Sequence, residues 1–496
     1  MINHFRKIIS PVIYVLIPAF IISFSACRKQ DNIDDDPAIK LSFSTDSIVF
    51  DTVFTTVGSV TQYLKVYNTH NKQINISTIR LAGGNNSNYR INIDGSPSIQ
   101  ENDVEIAAND SIFVFIRVTI DPNDITSPFV VTDSIIFITN GNFQDVDLFA
   151  WGQNAYYIVA DTYKPGLPPY KIVAHENSDT TWDNLKPYLV YGYAVVDSSG
   201  SLTIDPGVQI HFHNGSGMWI YRGGKLEVNG EKDQPVTFQG DKLEHYYQDI
   251  PGQWDRIWIN EGSTGNKINY AIIRNGFIGI QAEMLNIHDP LERHLLLTNT
   301  IIENMSGLGI LARWYEITGI NNVIANCGSH GIALTWGGNY DFRQCTFANY
   351  WNHSVRQAQN LALTNYFVDI NNTTYTFDLD AYFGNCINYG NLSEEIILDK
   401  HNGASFNYKF ENCLLRTELN ISDPAFFPGC FKNQDPRFVN YIKNDYHLDN
   451  LSPAIDAGNM DVINTSPYPL IIEKDIDENS RMIDPDLGAY EYTGRR

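Results

Sequence analysis

The chain has 496 residues, which is too long for one ordinary core, so we expect two or more domains. Its formal net charge is −23, and only 18% of its residues are charged. So few cations argue against a nucleic-acid binder, because such proteins need clustered Lys and Arg side chains to displace counterions from phosphates. The hydrophobic fraction of 43% excludes wholesale disorder.

Residues 1–26 have the layout of an export signal. Arg6 and Lys7 form a short basic segment, an apolar stretch follows, and small residues precede Cys27. Residues 24–27, Phe-Ser-Ala-Cys, resemble the lipobox of bacterial lipoproteins. This resemblance implies that Cys27 becomes a lipidated N-terminus, held in the membrane by burial of its acyl chains. The alternative is an ordinary secretory signal with an incidental cysteine.

Residues 27–40 form a predicted acidic tether that includes Asp34, Asp35 and Asp36. It resembles the surface-export signal of some Gram-negative lipoproteins, and a solvated linker is the alternative. We therefore expect an exported protein that is lipid-anchored to the outer membrane. The sequence leaves open which side of that membrane the protein faces.

Residues 41–153 contain short runs in which apolar and polar positions alternate, such as Tyr63–Tyr67 and Ser111–Thr119. Alternation with many β-branched residues is typical of half-buried strands, so we predict a β-sandwich. The stretch Phe50–Asn68 resembles immunoglobulin-like domains of the Hydin/ASPM type, which implies a spacer or interaction module. Residues 154–187 include three prolines in the segment Tyr163–Pro169 and are predicted to form a linker.

The next part of the chain contains an internal repeat. Short apolar blocks end in Asn275, Asn304, Asn326 and Asn349, at intervals of 29, 22 and 23 residues. A second element, Gly-Ile or its equivalent, follows each block at a fixed distance, ending with Ser354-Val355. A period near 22 with Gly and Asn turns and no helical phase predicts coils that satisfy their backbone by stacking on one another. The closing Asn residues are expected to lie in turns and to bond to their equivalents one coil away.

These repeats resemble the right-handed parallel β-helix of the pectin-lyase-like superfamily, and we predict this fold for residues 188–420, with about ten coils. The predicted fold class is therefore all-β, with an N-terminal β-sandwich, a right-handed parallel β-helix and a C-terminal capping segment. The sequence has no CxxC pair, so we interpret its cysteines as buried apolar residues, with Cys386 and Cys413 in a stacking column.

Residues 421–496 resemble the closing segment that is common after secreted bacterial β-helices. An open coil end exposes unpaired backbone, so we expect this segment to cap the solenoid. The alternative is an acidic calcium site, whose ligands would be Asp475, Asp477, Asp484 and Asp486. Calcium is the one cofactor that the sequence suggests.

Two pairs of residues lie about one coil apart and are candidates for a site. His330 and His353 would stack on adjacent coils and could bind a metal or share acid–base work, and packing is the alternative. Trp314 and Trp336 would also stack and could bind the faces of sugar rings. Strict alternation places both tryptophans on the core face, but a turn between would reverse this, so the alternative to sugar binding is that they pack in the core or in a turn.

The lyases of this superfamily use a Lys or Arg base, often with calcium, and its glycosidases use several Asp residues on neighbouring coils. Arg313 is a candidate base, but no acidic cluster lies in phase with it, and a cross-coil ion pair explains Arg274 and Glu303. We therefore favour a cell-envelope protein whose β-helix surface binds a glycan or a surface partner. The alternatives are a polysaccharide lyase or glycoside hydrolase, and an adhesin or structural protein.

Overall fold

A computed structural model describes residues 33–122 and 128–494 of the chain. The predicted signal peptide, Cys27 and the first part of the tether lie outside the described residues. The chain divides into two compact units, and the boundary falls between Gln153 and Asn154. Within the described ranges, no helix is both long and apolar enough to cross a membrane.

The first unit consists of two five-stranded sheets with the orders β1-β3-β8-β5-β6 and β2-β10-β9-β4-β7. Strands β1 to β10 are Ser42–Phe43, Ser47–Phe54, Gln62–Tyr67, Ile74–Leu81, Tyr89–Ile93, Ser96–Ser98, Gln100–Ile106, Ser111–Val118, Phe129–Thr139 and Asn142–Gln153. Neighbouring strands are antiparallel except for β2 and β10. Every second side chain of β8 is buried, as the alternating sequence predicts, so the two sheets enclose one apolar core.

The second unit is a solenoid of parallel coils with three faces. Face 1 contains Tyr156–Val159 (β11), Tyr188–Tyr191 (β14), Gln209–Phe212 (β17), Val236–Gly240 (β20), Ala271–Arg274 (β23), Ile301–Met305 (β26), Val323–Cys327 (β28), Thr346–Asn349 (β30), Ile387–Gly390 (β35), Leu414–Leu415 (β38) and Phe431–Lys432 (β39). Face 2 contains Tyr170–Ala174 (β12), Tyr193–Val196 (β15), Gly217–Ile220 (β18), Ile257–Asn260 (β21), Ile278–Glu283 (β24), Leu361–Thr364 (β31) and Ile396–Asp399 (β36).

Face 3 contains Asp179–Trp182 (β13), Ser201–Ile204 (β16), Lys225–Asn229 (β19), Ser263–Asn269 (β22), Arg293–Thr298 (β25), Leu379–Gly384 (β34) and Phe406–Glu411 (β37). Two long strands, Leu308–Ile320 (β27) and Ile332–Arg343 (β29), continue from face 2 into face 3, so faces 2 and 3 form a single sheet. Every pairing within the three faces is parallel, as in β24 with β27. The solenoid is therefore a parallel β-helix, as the repeat predicts.

The shorter elements are the antiparallel pairs Tyr366–Val368 (β32) with Thr374–Thr376 (β33) and Phe438–Asn440 (β40) with Asp445–Leu448 (β41), the helices Met460–Asn464 (α1) and Pro469–Ile472 (α2), and the 3₁₀ turns Gly84–Asn86, His245–Tyr247 and Tyr441–Lys443.

The first coil begins earlier than the sequence predicts. Residues 154–187 were expected to be a linker, but they contain β11, β12 and β13, which pair with the next coil. The three prolines lie between β11 and β12, where the chain passes from one face to the next and needs no ladder partner. Proline at such a corner does not interrupt the stacking of coils.

The closing asparagines occupy one register, as predicted. Strand pairing places Asn275, Asn304, Asn326 and Asn349 at equivalent positions in successive coils. The first three have left-handed φ angles of 64°, 56° and 49°, which asparagine adopts more readily than most residues. Asn275 directly follows β23, and Asn304 and Asn326 each lie one residue before the end of their strand, so these three residues turn the chain at the end of face 1.

The expected hydrogen bonds within this column were wrong. The side chain of Asn326 donates to Asn444 and accepts from the backbone of Tyr350, both of which lie in segments outside the repeat. A direct ladder forms instead at the other end of face 1, where Asn321 donates to Asn299 at 3.0 Å. The closing asparagines bond elsewhere because chain segments from outside the repeat lie against their turn.

The cysteine column is present. The amide of Cys386 lies 3.4 Å from the sulfur of Cys413, and the amide of Cys413 lies 3.5 Å from the sulfur of Cys430. The thiols are free, and burial raises the pKa values of Cys345 and Cys413. The column extends from Cys345 to Cys430, and it faces the core, which explains why cysteine is tolerated there.

The predicted capping segment begins too early, because Phe431–Lys432 (β39) still pairs within face 1. The segment after β39 lies along the outer side of face 1. Its contacts extend from Lys232, which donates to Asp477, to Asn412, which accepts from Asn459. It buries the outward side chains of face 1, among them Val323, Ala348 and Leu414. The segment therefore covers a flank of the solenoid that spans several coils.

Candidate functional site

Trp314 and Trp336 occupy the corner between faces 2 and 3. Their φ angles are 47° and 64°, so the alternation of side chains is interrupted at both positions. Strict alternation would place both tryptophans on the core face, but the chain turns at this corner, so the alternative of a turn that reverses their facing applies. Both indoles are half-buried on the outside of the corner.

The hairpin β32–β33 covers both tryptophans. Phe377 packs on Trp314 with ring centroids 4.1 Å apart, and Phe367 stacks on Trp336 at 4.0 Å. Arg293 lies 4.7 Å from the ring centroid of Trp314. Rings with a phenylalanine and a guanidinium against them offer little open face, so this geometry fits a packed corner better than a sugar platform.

Arg313 is held in place by its neighbours on the outer side of face 2. Its guanidinium lies 2.9 Å from Glu283 and 5.2 Å from the ring centroid of Trp336. The other carboxylate oxygen of Glu283 accepts from Trp258 and Gln281. A guanidinium fixed by an ion pair and a cation–π contact is poorly suited to abstract a proton, so this network fits a structural role for Arg313.

The two candidate histidines are not stacked. Strand pairing aligns Ile332 with Leu361, so the residue next to His330 in the following coil is Gln359, whose carbonyl contacts the His330 ring at 2.5 Å. Burial lowers the pKa of His330. The assignment of Ser354-Val355 to the second element was wrong, because residues 350–360 form an inserted loop, and His353 is exposed on it.

This inserted loop is anchored by a buried ion pair. Arg356 and Glu395 lie 2.5 Å apart, and both side chains are almost fully buried. Arg356 also donates to the carbonyl oxygens of Ala358 and Asn349. The loop therefore has a fixed position although it contains no regular structure.

A polar cavity of about 590 Å³ opens beside the inserted loop. The ends of β26 and β28 form it together with three segments that are distant in sequence: the loop before β21, the inserted loop, and the turn between β40 and β41. Its lining comprises Asp249, Asn304, Asn326, Tyr350, Asn352, His353, Tyr441, Ile442, Lys443 and Asn444. The volume is in the range of small-molecule sites.

Asn444 organises the floor of the cavity. It has a left-handed φ of 56°, and its side chain bonds to those of Asn304 and Asn326. Tyr350 and Tyr441 stack with their ring centroids 4.2 Å apart and line the same cavity. The cavity thus combines amide donors and acceptors with aromatic surface.

A carboxyl group with a shifted pKa lies next to this floor. Burial raises the pKa of Glu303 to about 7, and Asp249 adds to the shift, while Arg274 and a hydrogen bond from Asn444 oppose it. The expected ion pair between Arg274 and Glu303 was wrong, because the guanidinium donates to Gln239 instead, at 2.6 and 2.9 Å. A carboxyl group without a close cationic partner retains its proton more readily.

The acidic residues near the C-terminus do not converge on one point. Asp475 accepts from Asn479 and from the amide of Glu491, and Asp486 accepts from the amides of Asp456 and Tyr492. Asp477 bonds to a histidine, and Asp484 is exposed. Among the described residues, no group of three or more His, Cys, Asp or Glu side chains could hold a metal ion.

Of the residues that line this cavity, the sequence singled out only His353 and the closing asparagines Asn304 and Asn326, and in other roles. Tyr441, Lys443 and Asn444 lie about 90 residues after the inserted loop and share no period with the coils. The one available signal was the insertion itself, since the blocks after Asn349 lose the repeat.

Comparison with family models matches residues 174–272 to a pectate-lyase like beta helix domain. No curated protein matches the chain. The match lies within the solenoid and covers about a fifth of the chain.

Several solved structures are similar to this chain at low sequence identity. One is a family 123 glycoside hydrolase from Clostridium perfringens, at 10% identity and a TM-score of 0.18, covering 24% of this chain and 30% of that one. The chain therefore spans less than a third of that enzyme's length. A PapD-like domain of human CEP192 has 11% identity and a TM-score of 0.17, covering 26% and 94%. A GH87 alpha-1,3-glucanase catalytic domain has 12% identity and a TM-score of 0.15, covering 71% and 82%.

Proposed function

We propose that this protein binds a glycan in the cavity between the inserted loop and the capping segment. The observation that carries the proposal is the lining, in which four asparagines, a stacked tyrosine pair and His353 surround about 590 Å³. Amide groups can bond to sugar hydroxyls, and aromatic rings can pack on their C–H surface. The match to a pectate-lyase like model supports a carbohydrate ligand.

Affinity electrophoresis tests this proposal directly. The mature protein is run through gels that contain uronate-rich or neutral polysaccharides, with a glycan-free gel as reference. We expect retardation by at least one polysaccharide, and we expect the double variant Asn352→Ala/His353→Ala to lose it. His288→Ala is a matched control, because His288 is exposed and is not part of the cavity lining. Uniform mobility of the wild-type protein in all gels would contradict glycan binding.

Glycan binding fits the exported, lipid-anchored envelope protein that the first 40 residues suggest. Extraction of the native protein into detergent, followed by mass determination of its N-terminal peptide, tests this part. A diacylglyceryl group on Cys27 is the expected result. An unmodified N-terminus would show that the chain is secreted without an anchor.

Glu303 supports a second candidate function, glycoside hydrolysis. A carboxyl group with a pKa of about 7 can act as a proton donor near neutral pH, and Asn444, which bonds to Glu303, and Asp249 both line the adjacent cavity. The retained polysaccharide should then release reducing ends, and Glu303→Gln should abolish release while binding persists. Binding without release in the wild-type protein would leave the first function alone.

A further inference from the structure

The sheet β1-β3-β8-β5-β6 of the first unit has an unusual charge distribution. Strands β3, β5 and β8 contain no Asp or Glu, although acidic residues outnumber basic ones by 57 to 34 in the chain. Their outward side chains include Lys65, Arg90 and Arg117. The strands of the opposite sheet carry the acids Glu101, Asp103, Glu105, Asp145 and Asp147.

Exposed aromatic rings lie among these cations. Phe113 and Phe115 stack at 6.0 Å, Tyr63 lies edge-on to Phe113 at 5.8 Å, and the ammonium of Lys65 lies 5.4 Å from the ring of Phe113. Tyr63 is 59% exposed and Phe115 is 41% exposed. Large apolar side chains kept in water on one face are a feature of binding surfaces.

The face is also concave. A cavity of about 410 Å³ is lined by Thr61, Arg90, Asn92, Pro97, Phe115 and Arg117. Strand pairing sets Arg90 directly opposite Arg117, and Asn92 opposite Phe115. Two guanidinium groups therefore stand beside an amide and an aromatic ring, and no ion pair among the described residues involves Arg90 or Arg117.

We propose that this cavity binds an anionic saccharide, a sugar ring that carries a carboxylate or sulfate group. Guanidinium groups bind such oxyanions through paired hydrogen bonds, Asn92 and Thr61 can bond to hydroxyls, and Phe115 offers a ring face. The concave shape favours a discrete anionic ring over a flat membrane surface. This site lies in the first unit and does not depend on the cavity of the solenoid.

Isothermal titration of the full mature protein with a chondroitin 4-sulfate tetrasaccharide tests the proposal. The double variant Arg90→Gln/Arg117→Gln should bind about tenfold more weakly or worse, and affinity should fall as salt rises. Phe115→Ala should weaken binding too. Arg80→Gln, on the opposite sheet, is the matched control and should bind like the wild type.

Three outcomes would overturn the proposal. One is equal affinity of the wild type for neutral chitotetraose, another is unchanged affinity in the double arginine variant, and the third is binding to phosphatidylglycerol vesicles but not to the tetrasaccharide. Circular dichroism of each variant verifies that the sandwich is folded, and Phe115→Ala provides a second variant if the arginine variant fails to fold.

Discussion

The guanidinium of Arg356 and the carboxylate of Glu395 lie 2.5 Å apart in the interior, and they connect the inserted loop to the following coil. Glu395 also accepts from the backbone amides of Asn360 and Leu392. Removing one partner leaves the other charge buried and unpaired. The pair therefore fixes the loop that carries Asn352 and His353 into the cavity.

Arg356→Ala should destabilise the protein by about 3–5 kcal/mol, because Glu395 would remain buried without its cation. Urea denaturation followed by tryptophan fluorescence measures the change. Arg437→Ala is the matched control, since Arg437 and Asp449 form an exposed pair at 3.6 Å, and its cost should be below about 1 kcal/mol. Equal costs for the two variants would show that Arg356 is not buried as described.

Phe383→Ala should lower the free energy of unfolding by about 3–5 kcal/mol. The Phe383 ring is fully buried and stacks between Phe342, at 5.7 Å, and Phe410, at 4.8 Å, in three successive coils. Its loss leaves a cavity that the rigid coils cannot close. Thermal unfolding measures the change. Ile370→Ala, at a 99% exposed position, is the control and should leave the unfolding temperature unchanged within error. A small effect of Phe383→Ala would mean that these coils do not stack in this register.

Stability should depend on pH through Glu303. Its pKa is raised to about 7 from 4.5, so the folded protein holds a proton that the unfolded chain releases. The protonated Glu303 therefore contributes to the free energy of unfolding below pH 4.5, and this contribution is lost as the pH rises through about 7. The free energies of unfolding of the wild type and of Glu303→Gln should differ by an amount that changes by at most about 3 kcal/mol across this pH window. A constant difference would mean that Glu303 is ionised in the folded state.

His447 adds a second pH effect at higher pH. Hydrogen bonds from its ring to Asp477 and Asp445 raise its pKa to about 9 from 6.5. Protonated His447 therefore stabilises the folded protein fully below pH 6.5, and this stabilisation is lost as the pH rises through about 9. The side chain is 45% exposed, so solvent screening limits the effect to about 1 kcal/mol. His447→Gln should remove this dependence in urea titrations, and its persistence would assign it to another group.

Thiol counting tests the cysteine column and the lipid anchor together. Cys327, Cys345, Cys386 and Cys413 are buried, and Cys430 is partly exposed, so Ellman's reagent should react with Cys430 alone in the native protein. In denaturant, protein purified from the envelope should show five thiols, because a lipidated Cys27 has none. A sixth thiol would mean that Cys27 is unmodified.

Sequence periodicity predicted the coils well because stacking requires equivalent residues at equal spacing. Asn304, Asn326 and Asn349 share a register for this reason. Alternation alone does not fix the position of Trp336, because a corner with a left-handed residue reverses the facing of side chains, which is the turn that the sequence left open as an alternative. The cavity was also missed, since Tyr441 and Asn444 approach it from a segment without any period.

Titration calorimetry with the oligosaccharide that the wild-type protein retains most strongly tests the central claim, that a glycan occupies the cavity of the solenoid. We expect Asn352→Ala/His353→Ala to bind at least about tenfold more weakly than the control Asn402→Ala/His288→Ala, whose side chains are exposed and are not part of the cavity lining. Equal affinities of the two double variants would contradict the assignment of this cavity as the binding site.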